Sequence, residues 1–221
     1  MSREADLVDL IKTANEIYLV NPAGNARSAY IQIDDLCELI LKSFLQVKKN
    51  NWSPVVRTGN GREYFKGFKD VSKEVRQLLT NNKTVNDLLT SIEGRRANRN
   101  QFFHNHDMTG LTITDEHCLQ AFCDLYDLLN ALFPKAFKNY ENRVLRAQVA
   151  AIRALRDCAQ SPIKKQKYNE IVNKWRNEET NKTLRATGEV RIRFPNLAYD
   201  YCVIHYYPDQ FYDALQESGL I

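Results

Sequence analysis

Residues 95–106 read RRANRNQFFHNH, which gathers Arg95, Arg96, Arg99, His104 and His106 around two phenylalanines. Imidazole titrates close to neutral pH, so a histidine can take or supply a proton during a reaction. A guanidinium can hold phosphate oxygens through two parallel hydrogen bonds while negative charge builds up. Together these groups suit chemistry at a phosphate whose nucleophile comes from the substrate itself, as the 2′-OH of RNA does. That route requires no metal and yields a 2′,3′-cyclic phosphate and a 5′-hydroxyl. The bland alternative is a helix C-terminus carrying cations because the negative end of its macrodipole favours them.

Helical geometry constrains which groups can meet. At about 100° per residue, positions 99 and 104 lie about 140° apart around one helix, whereas 99 and 106 fall on nearly the same face, with 95 beside them. Three arrangements follow. His106 is the partner of Arg99, or the helix ends before His104, or a second copy of the chain completes the site.

The elements that must position this stretch are mostly helical. Residues 2–20 carry Leu7, Leu10, Ile11, Ala14, Ile17 and Tyr18 on one stripe. NPAGNA, 21–26, stops that helix, and a long one follows over 28–49 with Ile33, Leu36, Cys37, Ile40, Phe44 and Val47 at three–four spacing. A loop over 50–61 includes a short strand at 55–57. A third helix is expected over 64–79 and a fourth from Thr84 into the motif. HDMTGLTI breaks it, and Thr114 caps a fifth helix over 115–133, which Pro134 ends. Helices over 135–159 and 161–178 follow. TLRATGEVRIRFP and AYDYCVIHYY read as strands, and PDQFYDALQES as a closing helix.

RNQFFH, 99–104, within this helical order resembles the R-x(4–6)-H motif of the HEPN superfamily, whose common active form is Arg, a polar residue, three more residues and His. The resemblance covers about residues 1–134, leaving 135–221 without a family assignment. It implies a mainly α fold, a HEPN-like helical bundle, here followed by a C-terminal extension of helices and a small β element. It implies a metal-independent endoribonuclease of the kind found in toxin–antitoxin and antiviral defence systems, acting as a homodimer with two motifs facing one cleft. RNA is then the substrate, and an antitoxin or regulatory protein a possible further partner. By position, Arg99 binds and polarises the phosphate, His104 transfers the proton and Asn100 orients the site. His106 also satisfies the spacing, and Arg95 and Arg96 are extra cations beside the motif that can contact RNA. The alternative within the same resemblance is an inert module that binds RNA, a nucleotide or a partner protein. An adaptor working through protein contacts alone is a more distant reading.

Charge adds a second RNA-facing candidate. The net +4 of the chain divides into −1 over 1–134, +9 over 135–194 and −4 over 195–221. A segment as basic as 135–194 suits a polyanion. Within it Arg143, Arg146, Arg153 and Arg156 lie along one helix face, a possible RNA guide or an ordinary solvated face.

Other patterns carry less. The five cysteines are scattered without a CxxC pair and read as buried thiols. His117, Cys118 and Cys123 do not have metal spacing, because five residues on a helix turn the two thiols apart. No metal and no cofactor are expected. The letters HNH at 104–106 lack the ββα unit of the metal nucleases of that name. GNGRE at 59–63 lacks the strand–loop–helix context of a phosphate loop. The tyrosines of the tail, including Tyr201, Tyr206 and Tyr212, read as packing. Glu4, Asp6 and Asp9 interrupt any secretory core, and no run reaches membrane-spanning length, so no membrane association and a cytoplasmic location are expected.

Overall fold

The computed structural model describes residues 3–104, 113–135, 142–182 and 199–221, with side chains at 5–97, 113–135, 142–175 and 200–221. The described residues are mainly helical. The elements are α1 (Arg3–Val20), α2 (Pro22–Lys48), β1 (Val55–Arg57), β2 (Glu63–Phe65), α3 (Phe68–Leu78), α4 (Lys83–His104), α5 (Asp115–Leu132), α6 (Arg143–Ala159), α7 (Pro162–Lys182), α8 (Tyr199–Tyr206) and α9 (Pro208–Glu217). No helix among them is long and apolar enough to cross a membrane.

Most of the apolar stripes anticipated from periodicity form the interior, but Leu10 on α1 and Val47 on α2 are exposed. α1 packs along α2, α2 against α5, and α5 against both α4 and α6; α9 closes over α6. One hydrophobic cluster runs from Leu7 to Leu220 and so joins the N-terminal bundle to the C-terminal helices. A buried polar bridge crosses the same junction. Tyr126 donates to Asn15 Oδ1 at 2.6 Å and Asn15 Nδ2 donates to Gln148 Oε1 at 3.3 Å, linking α5, α1 and α6. Buried polar groups need such partners, and a bridge of three helices sets their relative register.

Several boundaries differ from the sequence expectation. α2 opens at Pro22, not 28, because the break needs only Asn21: its side chain accepts from Gly24 N at 3.2 Å, and proline is compatible with the first turn. Residues 64 and 65, expected at the start of the third helix, instead belong to the return strand of a hairpin, 63–65. Val55 pairs with Phe65 and Arg57 with Glu63. The hairpin turns through Gly61 at φ 78°, a left-handed value that glycine adopts without steric penalty. Gly67 is extended, and α3 starts only after it. α6 begins at Arg143, where Asn142 Oδ1 accepts from Val144 N at 2.9 Å, not at 135.

The largest correction lies at 198–207. This segment was expected as a strand; α8 is a helix with Cys202, Val203 and Ile204 buried. Burial of those three residues against α1, α6 and α7 outweighs the strand preference of a tyrosine- and valine-rich run. The companion strand expected over 183–195 lies outside the described residues. Thr114 does cap α5, accepting from His117 N at 3.3 Å, and α9 covers the expected closing helix.

Candidate functional site on helix α4

α4 is held at its start by Asn82, whose Oδ1 accepts from Val85 N at 3.1 Å. Its backbone remains helical through His104. This removes the arrangement in which the helix ends before His104. Positions 99 and 104 therefore stand about 140° apart around one axis. Positions 93, 97, 100 and 104 share one stripe, while 99 falls in register with 92 and 95. The side chains of Arg99, Asn100 and His104 lie outside the described set, and His106 lies outside the described residues altogether.

The two preceding arginines are described in full, and both are engaged within the fold. Arg95 pairs with Asp124 on α5, a residue only 4% exposed. Asp124 Oδ2 also accepts from Ser91 Oγ at 2.8 Å, and its Oδ1 accepts from Gln120 at 2.7 Å. Arg96 reaches the other way, to Asp34 at 3.4 Å and Glu38 at 3.3 Å on α2, while its guanidinium stacks 4.5 Å from the Phe68 ring centroid. On a third side, Glu93 accepts from Ser72 Oγ at 2.6 Å and from Arg76 at 3.1 Å. α4 is thus clamped to α5, α2 and α3 within one turn, immediately before the motif.

These carboxylates hold α4 in place, and the sequence did not single them out. The available signal was a lone acid inside an apolar run: Asp124 follows Phe122 and Cys123 and precedes Leu125 and Tyr126. An unpaired charge in such a place is costly, so it announces a partner, here Arg95.

Beside α4 lies an open groove of about 500 Å³ lined by Gly67, Phe68, Lys69, Glu93, Arg96 and Ala97. Its α4 wall is formed from the stripe that continues in register to 100 and 104.

The arginines of α6 also meet acids. Arg143 and Arg146 approach Asp209 at 3.6 and 3.2 Å, Arg153 meets Asp127 at 3.0 Å, and Arg156 meets Asp157 at 2.9 Å. Arg146 in addition lies 4.4 Å from the Tyr212 ring. Folding thereby brings part of the acidic tail onto the basic segment. Arg143 remains 73% exposed and Arg153 45%, so their outer faces stay open to solvent.

All five cysteines are buried and free of disulfides. Burial pushes the Cys37 thiol up to about 12, the Cys118 thiol to about 12 and the Cys123 thiol to about 11. Cys118 donates to the Ala26 carbonyl at 3.6 Å, a packing role. Among the described residues, no three His, Cys, Asp or Glu side chains gather into a metal-binding set.

What the fold and this helix define together is a mainly α bundle presenting an Arg–Asn–His motif at the end of a clamped helix. No protein-family model, curated protein or solved structure matches the chain.

Proposed function

We propose that this chain is a metal-independent endoribonuclease of the HEPN type, working as a homodimer. The observation that carries the proposal is the placement of Arg99, Asn100 and His104 at the end of α4, one turn beyond clamps to three neighbouring helices. A catalytic constellation needs such rigid support, because small misplacement of reacting groups is expensive in rate. The order of two long N-terminal helices, a motif-bearing helix and an apolar α5 adds to the family resemblance.

In the proposed reaction His104 accepts the 2′-OH proton as O2′ attacks the adjacent phosphorus. The P–O5′ bond breaks, a proton is delivered to O5′, and Arg99 stabilises the charge on the non-bridging oxygens. The products are a 2′,3′-cyclic phosphate and a 5′-hydroxyl. Because 99 and 104 diverge around one helix, the reading assigns the meeting of guanidinium and imidazole to two copies of α4 facing one another. A toxin or defence role, with a regulatory partner, follows from the resemblance alone.

Complementation tests this directly. Arg99→Ala and His104→Ala proteins are each expected to lose cleavage, measured as new 5′-hydroxyl ends on RNA, with EDTA having no effect on the native protein. Co-refolded mixtures of the two variants are expected to regain part of the activity if each copy supplies one group. Full activity in His104→Ala, or loss with EDTA, refutes the mechanism. The divergence of 99 and 104 also favours a second reading if the chain is monomeric: an inert RNA-binding module, which shows salt-dependent RNA affinity and no new ends.

A further inference from the structure

The β1–β2 hairpin turns two aromatic rings to solvent: Phe65 is 74% exposed and Tyr64 49%. Large exposed rings on consecutive residues are worth explaining when their surroundings are specific. Residues 55–69 also carry four cations, Arg57, Arg62, Lys66 and Lys69, against one carboxylate, Glu63. Glu63 is itself paired to Arg57 at 2.6 Å.

The hairpin is fixed to the body of the protein. Glu74 of α3 accepts from Lys66 at 2.7 Å, from Lys49 at 2.7 Å and from Trp52 Nε1 at 2.9 Å. Lys66 Nζ also lies 5.1 Å from the Trp52 ring centroid. From Lys66 the chain passes directly into Gly67, Phe68 and Lys69, one wall of the groove beside α4. The hairpin that carries the rings thus leads directly along the chain into one wall of the groove, whose α4 side belongs to the stripe shared by positions 100 and 104.

We propose that the hairpin and the groove wall that follows it are a track for single-stranded RNA, in which Phe65 and Tyr64 stack on bases from the two faces of the hairpin while Arg62 and Lys69 contact phosphates. The proposal rests on the ribonuclease reading and identifies how substrate reaches that site. Its chemistry selects the ligand. Aromatic rings beside cations suit a strand with accessible base faces and a polyanionic backbone, and a duplex hides those faces. Neighbouring strand residues point to opposite faces, so the two rings flank the hairpin and engage separate bases.

The test uses the full chain carrying His104→Ala, so that binding is read without cleavage, and a fluorescein-labelled single-stranded RNA of about 12 nucleotides, within the site sizes typical of such grooves. Anisotropy is measured with and without Tyr64→Ala/Phe65→Ala, and far-UV circular dichroism verifies the fold. Affinity is expected to fall on the order of tenfold per ring removed, and Tyr64→Trp/Phe65→Trp is expected to retain binding. Equal affinity with and without the rings overturns the track, as does absence of binding by the His104→Ala protein at low salt. The two readings fail separately. Ring-independent binding with intact cleavage by the native protein sinks the track alone. Ring-dependent binding without new 5′-hydroxyl ends sinks the ribonuclease and keeps the track.

Discussion

The clamp between α4 and α5 makes the sharpest structural prediction. Asp124→Ala removes a carboxylate that is 4% exposed and that accepts from Arg95, Ser91 and Gln120. The Arg95 side chain, 16% exposed, is then left without its carboxylate partner. Breaking a buried pair from one side typically costs about 3–5 kcal/mol, because the remaining charge stays desolvated. That is a large part of the roughly 5–15 kcal/mol that stabilises an ordinary domain. At about 2–4 °C per kcal/mol for a chain of this length, the melting temperature is expected to fall by about 6–20 °C. Urea unfolding followed by circular dichroism measures the loss, and hydrogen exchange over 91–104 is expected to accelerate. A double variant, Arg95→Met/Asp124→Leu, removes the charge and its partner together and is expected to recover most of the stability. Asp124→Ala within about 1 kcal/mol of the native protein refutes the reasoning, since a pair that contributes so little would be a solvated surface contact.

Two further outcomes follow from ionisation. Burial alone would raise the Glu74 carboxyl, but hydrogen bonds from Lys49, Lys66 and Trp52 outweigh it and hold the pKa down at about 2. A depressed carboxyl pKa contributes stability that is present above its ordinary value near 4.5 and is lost as pH falls toward 2. Glu74→Gln is therefore expected to flatten the acid limb of stability against pH between those values, by about 3 kcal/mol at most; an unchanged acid limb counts against the cluster. The buried thiols, with pKa values raised to about 11–12 for Cys37, Cys118 and Cys123, are expected to resist a thiol-specific disulfide reagent at pH 8 in the native protein. All five are expected to react once it is unfolded; rapid labelling of the native protein contradicts the packing described.

Much of this architecture was written in short-range patterns. The three–four stripes of α1, α2 and α5, the Thr114 cap and the Pro134 stop specify helices through spacing and backbone hydrogen bonding, which act within a few residues. The motif was legible for the same reason, as residue types at fixed separations on one helix. Tertiary structure decided what local preference leaves open. Residues 199–206 are helical because Cys202, Val203 and Ile204 fill a space between α1, α6 and α7. Residues 63–65 are a strand because β1 lies opposite to receive them. Arg95 and Arg96 read in sequence as cations that can contact RNA, yet Asp124, Asp34 and Glu38 engage them from helices far away along the chain. A cation's role depends on which acid reaches it after folding, and that distance is written in no local window.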